Sequence, residues 1–481
     1  MKVMGIKKSS NLKKGILTTL FGLIVVLEVQ STPVFAQAMD INEKKSVAAD
    51  SAIKGDDNDL PNPLTLEYLL SEYPLHTPQI QLQNARLQQA KGDTLASQIT
   101  ANWQANIEGR LGWREFAQDT QDHHQLALHL GKVLYDFNQS DLSIKSAQQN
   151  VVAEQLLIKS VLNQQKLAVM QAFFNVLLSD FQFRVDDEAM AVEYVNFDKI
   201  KDLHAIGQRS DVDLLAADLS YQKILVDRTR SESRQLQTRV QLANILHQPN
   251  ARPGEFTFPN LKSFSKRSLK DVDLQELQEQ VLRESPKLHA VSQRLESQRL
   301  ALESALAVGS PTLRADAWAG KLSSYPNVRE GTWRAELSVN IPLYDGGTEE
   351  AAVATAKANF SVTEAEYQQS SQSLRKEVTE LYFQIKLLQA EKKQHQAFGD
   401  YADLYLDYSR ALYEHESATD LGDSMVRLSQ ANYDLVAWQF KQALLWSQID
   451  YLMGKKVCLD NGQKSDDSPF KLSLNKQEMH S

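Results

Sequence analysis

Leu134-Tyr135-Asp136 recurs as Leu343-Tyr344-Asp345, about two hundred residues farther along, and that recurrence decides how the chain is read. The register holds on both sides of the triplet. Leu128 and Leu130 align with Leu337 and Val339, Ala147 with Ala356, Phe173-Phe174 with Tyr382-Phe383, Ser210-Asp211 with Thr419-Asp420, and Leu219 with Leu428. Upstream, Pro78, Arg86 and Leu87 align with Pro286, Arg294 and Leu295 after a single-residue indel. A register kept over this length requires two structurally equivalent halves rather than two unrelated domains.

Just before each triplet the sequence alternates with period two. Trp103, Ala105, Ile107, Gly109, Leu111 and Trp113 fall on one face and Gln104, Asn106, Glu108 and Arg110 on the other. The next strand carries Leu126, Leu128 and Leu130 opposite His129. In the second half Leu313, Ala315, Ala317 and Ala319 alternate with Arg314, Asp316 and Trp318, and Leu337, Val339, Ile341 and Leu343 with Glu336, Ser338 and Asn340. The expected strands are 103–113 and 125–136 in the first half, 312–320 and 333–344 in the second, with turn-forming loops Asp119 to His124 and Ser323 to Gly331. A continuous strand from Trp103 to Trp113 spans roughly 33 Å, about 25 Å of height when tilted by about 40°. That is the height of a membrane barrel band, with Trp103 and Trp113 as an aromatic girdle at its rims. Lys132 falls on the apolar face and has to snorkel.

After each triplet the period changes to that of a long helix. The stretch from Gln139 to Leu203 holds neither Pro nor Gly, and Glu349 to Leu412 is interrupted only by Gly399. One helix of that length is roughly 100 Å long. Val378, Leu381, Ile385 and Leu388, then Leu428, Ala431, Leu435 and Trp438, step by three and four, the spacing of coiled-coil partners. Four strands cannot close a barrel, and an open sheet edge in lipid costs several kcal/mol per unsatisfied backbone group. Further copies must complete the sheet. Three copies give twelve strands and an aqueous lumen, and the polar faces favour that over an eight-stranded dimer filled with side chains. The expected lumen residues are Gln104, Asn106, Glu108, Arg110, Arg314, Asp316, Ser338 and Asn340.

The ends give the address. Lys2, Lys7, Lys8, Lys13 and Lys14 precede an apolar run from Ile16 to Leu27, and Val34-Phe35-Ala36 offers a cleavage site, so residues 1–36 read as a Sec signal peptide. Removing its five Lys and one Glu takes the formal charge from −9 to −13, which argues against nucleic-acid binding. Residues 37–62 read as an acidic flexible lead, 63–248 as the first repeat, 249–274 as a polar connector starting at Gln248-Pro249, 275–454 as the second repeat and 455–481 as a flexible tail. The lone cysteine, Cys458, allows no intrachain disulfide.

With helix, hairpin, Leu-Tyr-Asp, long helix and return helix in both halves, the chain resembles the TolC-type outer-membrane efflux proteins from about Leu64 to Gly454. The resemblance implies a mostly α fold with a membrane β-barrel part. A homotrimer would combine a twelve-stranded barrel in outer-membrane lipid with a periplasmic α-helical barrel. Its partners would be a periplasmic adaptor (membrane fusion) protein and an inner-membrane ABC exporter or proton-driven pump, making it the exit duct for efflux or type I secretion. In the resembling proteins the return helix starts with Gly, Ser or Thr, then Asp, here Gly207, Ser210, Asp211 and Asp213. The second tip departs, with Glu416 in place of the Gly, then Thr419, Asp420 and Asp423. These eight residues are the expected aperture and adaptor contact. Ser210 or Asp211 can equally cap a helix beginning at Val212, as Thr419 or Asp420 can its counterpart, and Asp213 and Asp423 suit a helix dipole or a channel axis.

Nothing in the sequence suggests catalysis or a cofactor. His123-His124 and His129 lack the spacing of a metal site, Asp186-Asp187-Glu188 reads as the wet face of a helix, and there is no phosphate loop. The rival reading is a periplasmic coiled-coil adaptor or scaffold, which shares the long helices but does not need paired strands with aromatic rims; a secreted enzyme is third.

Overall fold

The structure is a computed structural model that describes residues 60–75, 77–116, 119–122, 124–269, 272–322, 331–414 and 421–457. The signal peptide, nearly all of the lead, His123, the loop 323–330, Glu416, Thr419, Asp420, Cys458 and the rest of the tail lie outside the described residues. In the first repeat α1 (Leu66–Ser71) and α2 (Pro78–Ile99) lead into β1 (Gln104–Arg110), β2 (Trp113–Phe116), β3 (Asp119–Asp122) and β4 (Gln125–Tyr135), followed by α3 (Gln139–Ala205) and α4 (Asp211–Ile245). A single turn, α5 (Lys262–Ser265), lies in the connector. The second repeat follows the same plan with α6 (Leu274–Glu284), α7 (Pro286–Leu306), β5 (Thr312–Lys321), β6 (Trp333–Asn340), α8 (Thr348–Glu414) and α9 (Leu421–Leu452).

The repeated residues build the same joints twice. Thr77 and Ser285 cap α2 and α7, each followed by Pro at the first helical position, where its missing N–H costs nothing. Both long helices have 67 residues. The Asp of the triplet starts each one. Asp136 accepts from the Ser140 N–H at 3.0 Å and from its hydroxyl; Asp345 accepts from the Glu349 N–H at 2.6 Å and the Gly347 N–H at 2.9 Å. These bonds satisfy amides that no helical carbonyl can reach, and they hold the Asp345 carboxyl below its ordinary range. The two residues after the Asp have positive φ in both repeats: Phe137 and Asn138 at 53° and 64°, Gly346 and Gly347 at 71° and 88°. Glycine adopts this turn without strain, so the second repeat carries the relaxed version.

The helices form a four-column wall. α3 and α8 run its length; α2 packs on the first half of α3 and α4 on the second, while α7 and α9 fill the space between α3 and α8. Phe174 stacks on Phe440 at 4.2 Å, and the Trp438 indole N–H donates to the Leu388 carbonyl at 2.8 Å. Val378, Ile385, Leu388, Ala431 and Ile449 are buried along the α8–α9 seam. The connector is less polar in its contacts than its composition suggests. Phe256 meets Phe173 edge-on, Phe258 lies on Phe440, and backbone bonds tie Leu64 to Glu255 and Thr257. Nor is Asp186-Asp187-Glu188 simply wet. Asp187 pairs with Arg228 of α4 at 2.7 Å and Glu188 accepts from Ser429 of α9, because successive helical residues point about 100° apart and α3 lies between those two helices.

The four main strands form one antiparallel sheet in the order β1-β4-β5-β6, joining the hairpins of the two repeats through β4 and β5. The strand expected from Trp103 to Trp113 is interrupted. Leu111 and Gly112 leave the ladder, the Gly112 N–H donates to His124 Nδ1 at 3.3 Å, and Trp113 belongs to the separate β2–β3 ladder. Among the described residues no helix is long and apolar enough to cross a membrane.

Candidate functional site

Two places carry the functional expectation, the faces of the sheet and the ends of the helical hairpins. Cross-strand register puts Gln104, Asn106, Glu108 and Arg110 of β1, Arg314 and Asp316 of β5, and Ser338 and Asn340 of β6 on one face. His129, Trp318, Arg334 and Glu336 share it. The opposite face carries Ile107, Leu128, Leu130, Ala317, Trp333, Leu337 and Val339, and several of these are largely exposed, Ile107 at 74% and Leu337 at 73%. So much bare aliphatic surface is not stable facing water. Lys132 lies on this face with its ammonium 5.6 Å from the Trp103 ring, where a cation–π contact replaces part of its hydration. Trp113 meets His124 edge-on beyond the break in β1 and pairs in the β2–β3 ladder, whereas Trp103 lies just before β1, so the two tryptophans expected as a girdle do not share one strand.

At the first hairpin end, the expected aperture residues build the turn. α3 closes at Gly207, which has φ 75°, with the Gln208 N–H donating to the Leu203 carbonyl. Ser210 caps α4, which begins at Asp211 rather than Val212. Its hydroxyl accepts from the Asp213 N–H at 3.2 Å, and Asp213 accepts from the Ser210 N–H at 3.1 Å, a complete capping box. The Ser210 backbone and hydroxyl bonds hold the Asp213 carboxyl below its usual range. Asp211 pairs with His204 at 2.7 Å across the turn. At the second end Asp423 pairs with Arg427 at 3.0 Å, and the Arg427 guanidinium lies over Tyr405. Ser210 and Asp213 are thus occupied in capping, whereas Asp211 remains largely exposed. Among the described residues no group of three His, Cys, Asp or Glu is placed to hold a metal ion.

The lumen set read from the sequence leaves out His129, Trp318, Arg334 and Glu336. The signal for them is the alternation itself, extended to every strand and not only to its most polar members.

Comparison with known proteins agrees with this architecture. Residues 277–455, the second repeat, match the outer membrane efflux protein family. Against curated protein sequences the chain has no match. Among solved structures it is similar to CusC, described for its transmembrane channel formation, at TM-score 0.67 and 18% identity over 82% of this chain and 93% of that one. It is similar to the Campylobacter jejuni CmeC outer membrane channel at 0.64 and 12% over 79% and 83%, and to the Vibrio cholerae outer membrane protein VceC at 0.64 and 14% over 81% and 96%. The fold is that of these outer membrane channels, and the second repeat matches the outer membrane efflux protein family.

Proposed function

We propose that the protein is a homotrimeric exit duct in the bacterial outer membrane, a passive conduit whose helical wall crosses the periplasm to meet an adaptor protein and an energised inner-membrane exporter or pump. The observation that carries this reading is a sheet with one exposed aliphatic face, one polar face and no strand beyond β1 or β6 among the described residues. Three such sheets, edge to edge, satisfy every backbone group in lipid and enclose the polar face.

The helical wall ends in the same way. Val212, Leu215, Leu219, Val226 and Leu236 form an exposed seam on α4 at steps of three, four, seven and ten, all compatible with a heptad. On the far column, α8 exposes Phe383, Leu387, Tyr401, Leu404 and Tyr408 at steps of four, fourteen, three and four, which also keep a heptad register. Each seam fits the other across a boundary between copies, with coiled-coil geometry. Gly207, Ser210, Asp211, Asp213, Glu416, Thr419, Asp420 and Asp423 then lie at the periplasmic mouth. Carboxylates tripled there favour cations.

The test is orientation. In a Cys458→Ser background, Asp119→Cys should react with an impermeant maleimide on intact cells and Gln208→Cys should not. Labelling of position 208 with position 119 protected would reverse the reading.

A further inference from the structure

The polar face of the sheet holds one side chain that an ordinary aqueous lining does not need, the large indole of Trp318. It lies on β5 one pair from the loop end of the β5–β6 ladder, paired in register with His129 on β4 and Arg334 on β6. The His129 ring stacks on it with centroids 4.7 Å apart and planes 8° apart, and the Arg334 guanidinium carbon sits 4.1 Å from the ring centroid. Because β4 and β6 flank β5, these groups cover opposite faces of the indole. The stacking distance matches the spacing of neighbouring strands, about 4.8 Å. Parallel rings so spaced on paired residues stand upright from the sheet rather than lying along it.

The stack is braced on all sides. His129 Nδ1 lies 3.1 Å from both Glu108 Oε1 and Asn106 Oδ1, and its Nε2 lies 2.9 Å from Asp316 Oδ1. Arg314 holds Asp316 at 2.9 Å, and Glu336 holds Arg334 at 3.1 Å. A Cβ at Gly131 would come within 2.5 Å of Asp316 Oδ1 and 2.6 Å of Arg314 Nη2, so glycine there leaves the brace its room.

We propose that Trp318, clamped between His129 and Arg334, sets the width of the conduit inside the barrel and thereby the size of cargo that passes. This rests on the closure of three copies into one barrel. Twelve strands about 4.8 Å apart and tilted about 40° enclose a cylinder roughly 24 Å across between opposite backbones. Threefold symmetry places three upright indoles and their guanidinium neighbours at one level of that cylinder, where they take up much of its width. Because both faces of each ring are covered, the ring cannot fold back against the wall to let a large solute through.

The experiment uses whole cells carrying the full-length protein with Cys458→Ser and Ser338→Cys. Position 338 lies on the polar face of β6, beyond Arg334 from the β5–β6 loop, so a reagent arriving from outside must pass the ring first. A small impermeant maleimide should label position 338 whether Trp318 is present or replaced by Ala. A maleimide carried on a polymer of several kilodaltons should label it at least an order of magnitude faster in Trp318→Ala, while Trp318→Phe, which keeps a stacked ring, stays with the parent. If Trp318→Ala lowers trimer yield, Trp318→Leu takes its place, because it removes the ring and keeps an apolar stem. Equal rates for the large reagent in all variants would overturn the proposal. Failure of the small reagent in every variant would instead remove the conduit reading beneath it.

Discussion

Glu154 on α3 offers the sharpest test of how the two repeats are held together. Its side chain is 8% exposed and accepts from Gln83 of α2 at 2.5 Å and from Arg294 of α7 at 2.6 Å, so one carboxylate joins a helix of each repeat. Glu154→Ala leaves the buried Gln83 amide without that acceptor, a loss of about 1–3 kcal/mol. Arg294 is more than a third exposed and can turn to water, so its share is at most about 1 kcal/mol. Together they amount to about 1–4 kcal/mol per chain, and at about 2.1 cal/mol/K per residue over some 400 folded residues the melting temperature should fall about 1–5 °C. Differential scanning calorimetry of the detergent-solubilised protein reads this directly, since copies in one cooperative unit scale enthalpy and perturbation alike. Arg294→Ala alone should cost less, and the double variant should cost less than the sum of the singles. A Glu154→Ala protein melting within 1 °C of the parent, or strict additivity, would show that the contact does not couple the repeats.

Other expectations follow from single contacts. A Cβ at Gly422 would lie 2.6 Å from Val192 Cγ2, where the start of α9 meets α3. Gly422→Ala should therefore push these helices apart and raise conductance in planar bilayers, and adding Val192→Ala should restore it. Asp213 and Asp345 have folded-state pKa values below their unfolded ones, so their contribution is present above about pH 4 and is lost as pH falls through the folded values. Asp213→Asn and Asp345→Asn should accordingly lower the melting temperature at pH 7 and converge with the parent in strong acid.

What can be read from the sequence is what rests on local periodicity. Alternation at 104–110 and 333–340 and the long runs free of helix breakers set strand and helix directly, because side-chain direction repeats every two residues in one and every 3.6 in the other. The triplet Asp is visible as a repeat, and its role follows from the helix start next to it. The capping box at the first tip is written in the Ser210-x-x-Asp213 spacing, and with Ser210 as the cap the helix begins at Asp211 rather than at the expected Val212. Features that depend on chain pairing are harder to see. Whether Trp318 meets Arg334 or another β6 residue depends on a register set by the geometry of the loop between them. Phe256 and Phe258 have no periodic pattern to announce them, yet they pack the connector onto Phe173 and Phe440. The break at Leu111-Gly112 is the converse case. Alternation continues through it, but the Gly112 amide pairs with a side chain and the ladder stops.

The most direct measurement is the native mass of the protein extracted in detergent from outer-membrane fractions. Three chains are expected, converting to one on boiling, because only closure satisfies the free edges of β1 and β6 and covers the α4 and α8 seams. A stable single chain inserted in lipid, with those edges unpaired, would contradict the trimeric conduit.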